Sequence, residues 1–332
     1  MRKTAKWMAV LLAFGAMAAG CASGGGTAAP AGGEAEKTLR IAYNIWVGSA
    51  GAYVADAKGY FEESGVDVEL LQFANPTEAA QAVVAGQADA AITTLDTLVM
   101  LKGKEAADNP LQMIHAIDVS NGADGIVAGG DIKQLADLKG KQVAVTLGAV
   151  NHFLLSHALQ SAGLTDADVE LVNMAPELTG STFMSGQVDA AVTWEPFLTE
   201  AQQNGGTLLY STADAPGLVV DVLMTTQNAV EQYGAQFKSV VEAIDRGVAE
   251  FEAGDADADA AVAEVIGSKP EEVKDIAYGL ELYTSEKAKK MMVDDAAATE
   301  AMIGVMSDFF LAQELIDEAV DPTTVMNPAL FE

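Results

Sequence analysis

Short apolar runs alternate with amphipathic stretches over the first two thirds of the chain. TLRIAYNIW, residues 38–46, gathers bulky and β-branched side chains and breaks at Gly48 and Ser49, which predicts a strand. AGAYVADAKGYF, residues 50–61, repeats its apolar positions at helical spacing. DVELLQF, residues 67–73, predicts a second strand. PTEAAQAVVAG, residues 76–86, predicts a helix that opens on Pro76 and Thr77 and closes at Gly86. ADAAITT, residues 88–94, predicts a third strand. Strand, helix, strand, helix, strand implies parallel pairing with helices on the sheet faces.

The same order returns further along. KQVAVTL, residues 141–147, predicts a strand, and AVNHFLLSHALQSAG, residues 149–163, a helix ending at Gly163. DVELVNM, ELTGSTFMSG and VDAAVTW follow as strand, helix and strand. VVAGQADAAITTLDTL, residues 83–98, is nearly copied in FMSGQVDAAVTWEPFL, residues 183–198. Gly86, Gln87, Asp89, Ala90, Ala91 and Thr93 each find their match a hundred positions later, as does Gly48 in Gly148. A register held over a whole three-strand unit implies an internal repeat, and so two similar α/β lobes. Ligands bind off the carboxyl ends of strands in open α/β sheets. Two facing lobes therefore share one cleft, with Thr94 and Trp194 opposed across it. Two stretches are expected to connect the lobes: IDVSNGADGIVAGGD, residues 117–131, and GLVVDVLMTT, residues 217–226. From there the pattern is helical to the end, and this tail is assigned to the first lobe.

Composition adds to this picture at the amino terminus. Arg2, Lys3 and Lys6 precede the apolar run WMAVLLAFGAMAA, and AAGC ends at Cys21, the one cysteine in the chain. Residues 1–20 therefore read as a lipoprotein signal peptide, with Cys21 the lipidated residue. Residues 21–37, rich in Gly, Ala and Pro, read as a flexible tether. Membrane attachment is expected through that lipid alone. With one cysteine there is no internal disulfide and no cysteine metal cluster. The formal charge of −30 excludes a nucleic-acid partner, which needs a basic surface. It also points to a saline habitat in which ions screen self-repulsion.

Together, NIWVGSAGAYVADAKGYFEESGVDVEL, the two G-Q-x-D-A-A stretches and VDAAVTWEPFL resemble the periplasmic solute-binding proteins of nitrate/sulfonate/taurine-type ABC importers, a group whose relatives bind thiamine pyrimidine precursors. The resemblance covers residues 38–230. It implies an α/β two-lobe periplasmic-binding-protein fold of type II, with two hinge crossovers and a helical C-terminal tail. Lobe 1 is then residues 38–120 plus 222–332, and lobe 2 residues 121–221. The implied partners are a small-molecule solute and an ABC permease with its ATPase, met by a monomer on the outer side of a membrane, with no cofactor and no catalysis.

Candidate ligand-binding residues sit at the expected strand ends. Trp46 is either core or pocket, while Gly48 and Ser49 offer backbone N–H groups at a helix start. Thr94 is a ligand contact, and Asp96 either caps the next helix or joins Thr94. Asn121 and Asp124 occupy the first crossover, where turn chemistry and ligand contact both suit them. Gly148, Asn151 and His152 open the helix of the second lobe, with His152 expected to point into the cleft. His157 is five residues on, about 140° round a helix, so the two rings form no joint metal site. Trp194 offers a flat apolar wall and Glu195 a carboxylate, although Glu195 also suits the helix start behind Pro196. Asp221 lies on the second crossover.

The arginines beyond the leader are Arg40 and Arg246, neither at an expected strand end, so a bidentate arginine clamp for nitrate or sulfonate is missing. The carboxylates favour an amine-bearing solute, either an aminosulfonate such as taurine or a pyrimidine precursor. An enzyme of pyrimidine or related metabolism on the same scaffold is the competing reading, but the chain has no G-x-S-x-G, P-loop or G-x-G-x-x-G motif. A non-transport sensory module is a third. DADAD, residues 255–259, lacks the glycine and terminal glutamate of a calcium loop and reads as a solvated acidic turn.

Overall fold

The computed structural model describes residues 37–104 and 109–331. The expected signal peptide, the lipidation site Cys21 and the tether up to residue 36 lie outside the described residues.

The first repeat unit runs β1 (Leu39–Asn44), α1 (Ala50–Ala57), α2 (Tyr60–Glu63), β2 (Val68–Phe73), α3 (Pro76–Val84), β3 (Ala90–Thr94) and α4 (Leu95–Lys102). Two strands follow, β4 (Leu111–Ser120) and β5 (Asp124–Ala128). The second unit is β6 (Gln142–Val145), α5 (Val150–Ser161), β7 (Glu170–Asn173), α6 (Thr179–Met184), β8 (Ala190–Trp194) and α7 (Phe197–Gln203). Next come β9 (Thr207–Ser211) and β10 (Val220–Thr226). The tail holds α8 (Gln227–Ala253), α9 (Ala256–Ile266), α10 (Val273–Ile276), β11 (Leu280–Leu282), α11 (Ser285–Lys289) and α12 (Ala296–Ala312).

These strands form two sheets, ordered β11-β4-β10-β3-β1-β2 and β7-β6-β8-β5-β9. In each, the three repeat strands pair in parallel around the first, as their spacing predicts. An antiparallel strand from a crossover then lies beside the third: β10 beside β3, and β5 beside β8. The chain passes from one sheet to the other between β4 and β5 and returns between β9 and β10. The two stretches expected as connections are thus largely strand, with only the turn at residues 121–123 between β4 and β5. β4 escapes period-2 reading because nearly all of its residues are buried on both faces. The tail, expected to be helical throughout, contributes β11 as an edge strand on β4.

The repeated residues do the same structural work twice. Gly86 and Gly186 take positive φ values of 69° and 72° and end α3 and α6. The Asp89 carboxylate accepts from the Arg40 backbone N–H at 3.0 Å, and Asp189 accepts from Gln142 N–H at 2.9 Å. Each aspartate thus ties the start of a third strand to the start of the first strand beside it. Asp89 also pairs with Lys37 and Arg40, which holds its carboxyl below the usual range despite partial burial.

Helices α1, α8 and α9 cover one face of the larger sheet, and α1 meets α8 closely at Gly51 and Gly247. A Cβ on Gly247 would lie 2.1 Å from the Gly51 carbonyl oxygen, so only glycine permits this approach. On the far side, α12 joins a core that runs on to α4 and α5, so the tail touches both sheets' helices. Gln313, at the end of α12, donates to Asp166 at 2.8 Å. Among the described residues, no helix is long and apolar enough to cross a membrane.

Candidate functional site

The carboxyl ends of β1 and β3 approach those of β5's partner β8, and a small chamber lies between the two sheets. It is lined by Asn44, Trp46, Pro76, Thr94, Asp124, Val150, Trp194, Val219 and Asp221, with a volume of about 30 Å³. Pro76, Val150 and Trp194 also line a wider vestibule of about 410 Å³, so the chamber opens outward past them. The vestibule is walled by the starts of α3 and α5, and Lys104 and Leu315 also line it.

Sheet register sets the inner wall. Thr94 on β3 pairs with Asp221 on β10, and Asp221 pairs in turn with Asp118 on β4. In the second sheet, Asp124 on β5 pairs with Trp194 on β8. Two carboxyl groups from the consecutive strands β4 and β5, Asp118 and Asp124, thus meet a third, Asp221, from the distant strand β10. Asp118 is 1% exposed, and its Oδ2 accepts from the Trp46 indole Nε1 at 3.2 Å. Asp221 is its partner across β10 and β4, so the two carboxyls perturb one another. Burial raises Asp118 to about 7 and lifts Asp221 well above the carboxylate range, with the Asp118 charge adding to the latter. Asp124 is raised to about 7 by burial first and then by the charges of Asp96 and Glu195. One of its oxygens, Oδ2, is buried without a hydrogen-bond partner.

Asp96 lies in the first turn of α4, behind Thr94, and burial raises it to about 6. Thr94 itself is the residue before α4, and its hydroxyl donates to Thr97 at 2.8 Å. Asp96 is therefore neither the cap residue nor a lining residue, but an additional buried acid close to the chamber.

Several expected contacts fall elsewhere. Gly48 and Ser49 do not line the chamber: Ser49 N–H donates to the Trp46 carbonyl at 3.1 Å, and Gly48 is packed against Asp118 and Trp46. A Cβ on Gly48 would sit 2.1 Å from Asp118 Oδ2 and 2.4 Å from the Trp46 indole nitrogen. Asn121 is exposed at the turn and uses its backbone N–H to reach the Gly279 carbonyl at 2.7 Å. His152 points away from the cleft. Its Nε2 lies 3.1 Å from Asp166 Oδ2, its Nδ1 accepts from Gly148 N–H, and Phe309 packs edge-on against its ring. A buried imidazole is held by the nearest available carboxylate, and Asp166 supplies it. Glu195 is also turned away: its oxygens accept from Thr199 N–H at 3.1 Å and Thr199 hydroxyl at 2.8 Å, which satisfies the start of α7. Gly148 and Asn151 line the vestibule rather than the chamber, and Asn151 donates to the Val192 carbonyl. Trp46, Thr94, Asp124, Trp194 and Asp221 are the candidates that the fold brings together.

Asp118 was not among the candidates. Its neighbours in sequence mark it as an interior strand residue, yet an aspartate inside the apolar run QMIHAIDVS is itself a signal, since a buried carboxyl needs a reason. None of the chamber's lining residues is basic. Arg40 is engaged by Asp89 and Arg246 by Glu63, both away from the cleft. Among the described residues, no group of three or more histidines, cysteines or acids is arranged to hold a metal ion.

The family model described as NMT1/THI5 like matches residues 46–255, which includes the first repeat unit beyond β1, the whole second unit and both crossovers. The chain belongs to the NMT1/THI5-like family. A Brucella abortus protein provisionally named as a binding protein is 32% identical over 162 residues, 48% of this chain and 49% of that one. The chain spans about half the length of the curated relatives it matches. Among solved structures, the periplasmic aliphatic sulphonate binding protein SsuA from Escherichia coli superposes with a TM-score of 0.73 at 22% identity, covering 89% of this chain and 93% of that one. The desulfurization enzyme DSZB superposes with a TM-score of 0.63 at 16% identity, covering 88% and 98%. The fold of this NMT1/THI5-like protein is accordingly the two-domain α/β fold of periplasmic binding proteins.

Proposed function

We propose that this protein is the extracytoplasmic solute-binding component of an ABC importer. It captures a small organic solute between residues 38–120 plus 222–332 on one side and 121–221 on the other, then passes it to the permease and its ATPase. The observation that carries this reading is the chamber between the two sheets, where Thr94 of one and Trp194 of the other meet at equivalent strand ends. Two crossings of the chain between the sheets suit a hinge, since closure needs only a few residues to absorb rotation. A solute that touches both sides drives closure because it is held better by the closed form. The likeness to a sulphonate-binding structure supports the same reading, as does the binding role in the name of the Brucella relative.

The solute is an amine-bearing compound, an aminosulfonate such as taurine or a pyrimidine carrying an amino group. The protein works as a monomer held to the outer face of a membrane by the lipid on Cys21. A thermal-shift and tryptophan-fluorescence screen over sulfonates, nitrate, amines and pyrimidines tests the binding role. At least one should raise the melting temperature and change the emission of Trp46 and Trp194. A full panel without response sinks it.

The likeness to DSZB supports a second reading, an enzyme on the same fold. Mass spectrometry of the solute after prolonged incubation separates the two: a binding protein returns it unchanged.

A further inference from the structure

We infer that the solute enters the chamber with a compact cationic head, of ammonium size, which Asp124 and Asp221 receive with Asp118 behind them, while its larger remainder stays in the vestibule. This rests on the solute-binding reading and narrows it: the positive charge is required, and an acidic group on the solute is not.

Three features of the geometry lead there. The chamber, at about 30 Å³, is less than a tenth of the vestibule's about 410 Å³, so it suits a small head group and the vestibule a sizeable remainder. The chamber has a carboxyl on each side of the cleft, Asp221 from one sheet, backed by its strand neighbour Asp118, and Asp124 from the other, beside Asn44 and Thr94. Asp124 Oδ2 is a buried acceptor with no donor, at a residue 6% exposed. Such an oxygen costs free energy until a donor reaches it. Trp46 and Trp194 supply aromatic lining alongside Asn44, Pro76, Thr94, Val150 and Val219, and indole faces attract cations. A nitrate or sulfonate head in the same space would meet carboxyl oxygens and an aromatic wall with no basic residue to offset it.

The arrangement also predicts proton exchange. The groups facing these carboxyls are one another, Asp96 from α4, Glu195 ahead of α7, and Tyr53 from α1, whose hydroxyl burial pushes upward. Lys104 lines the vestibule and not the chamber. With no fixed cation beside them, the carboxyls hold protons near neutral pH. A cation placed among them favours the ionised form, so its entry expels a proton. Affinity for a cationic head therefore rises with pH.

The test is calorimetric titration of the full-length chain with ethylammonium, agmatine and taurine against ethanesulfonate and nitrate, at pH 5.5 and 7.5. The expected result is binding of at least one cationic probe, tighter by about tenfold or more at pH 7.5, with protons released in buffers of differing ionisation enthalpy. Asp221→Asn should weaken that probe about tenfold, and Asp124→Asn provides the same reading if the first variant does not fold. Binding confined to anions or neutral pyrimidines overturns the cationic head and leaves the solute-binding role standing. So does cation binding that is insensitive to pH and to both variants. Silence from these probes and from the wider solute panel overturns both.

Discussion

At the end of β3, Thr94 leads into Leu95 and a helix whose first turn buries Asp96; at the end of β8, Trp194 leads into Glu195, Pro196 and a shorter helix. Up to Thr93 and Thr193 the two junctions share their glycine cap, their strand-tying aspartate and their paired buried alanines. Beyond that point they part, and the two walls of the chamber become different materials. One wall is small and acidic, with Thr94 beside Asp221. The other is a single indole, set beside Asp124 by strand pairing. The carboxylates diverge as well. Glu195 spends both oxygens on Thr199, whereas Asp124 keeps one oxygen free. Duplication supplied a scaffold twice, and function occupies the few positions where the copies stopped matching.

The strongest way to break this contrast is through the acids. Because burial raises Asp96, Asp118, Asp124 and Asp221, the folded state binds protons more tightly than the unfolded chain. The stability they allow is therefore complete below the ordinary carboxylate range and is lost as pH rises through about 6 to 7 and beyond. Urea midpoints of the ligand-free protein should fall from pH 5 to pH 8. Asp221→Asn combined with Asp124→Asn should flatten that slope and recover several kcal/mol at pH 8, the scale of an unpaired buried charge. An unchanged slope would remove the acids from the argument.

Next come the shared aspartates. Asp89→Ala should cost about 2 kcal/mol and Asp189→Ala about 1 kcal/mol in chemical denaturation, since Asp89 adds ion pairs to the strand tie and Asp189 is exposed. Neither should alter solute affinity. Comparable loss of affinity in either would show that the scaffold and the site are not separable.

Trp194→Thr makes the second junction resemble the first. Affinity for an amine-bearing solute should drop roughly threefold to thirtyfold, the range of an indole's attraction for a cation, with fluorescence competition as the readout. The smallest effect is expected at Glu195→Ala. It should lower stability by about 1 kcal/mol, as loss of a helix cap does, and leave affinity where it was. A large affinity loss there would return Glu195 to the site.

Much of the architecture was legible in the sequence. Strand and helix order in both units, the parallel pairing, the equivalence of the halves and the opposition of Thr94 and Trp194 all followed from local pattern and a repeat. These features depend on short-range physics: apolar periodicity, glycine at a helix end, and a carboxylate placed to take a backbone N–H. β4 was not legible, because a strand buried on both faces has no alternation to read. His152 and Glu195 were expected at the cleft from their positions, but their side chains turn elsewhere, to Asp166 and to Thr199. Nothing in the neighbouring residues of His152 says that Asp166 will be its partner.

The sequence by itself determined the two α/β halves, their shared scaffold and the acidic, arginine-poor character of the whole chain. Only the tertiary structure decided that Asp221 and Asp124 would meet around one small space with Trp46 and Trp194, with Asp118 behind Asp221 and Trp46. The reason is that their meeting depends on the register between strands up to a hundred residues apart. Register is fixed by the packing of entire sheets, and a shift of one residue would turn every one of those side chains to the opposite face.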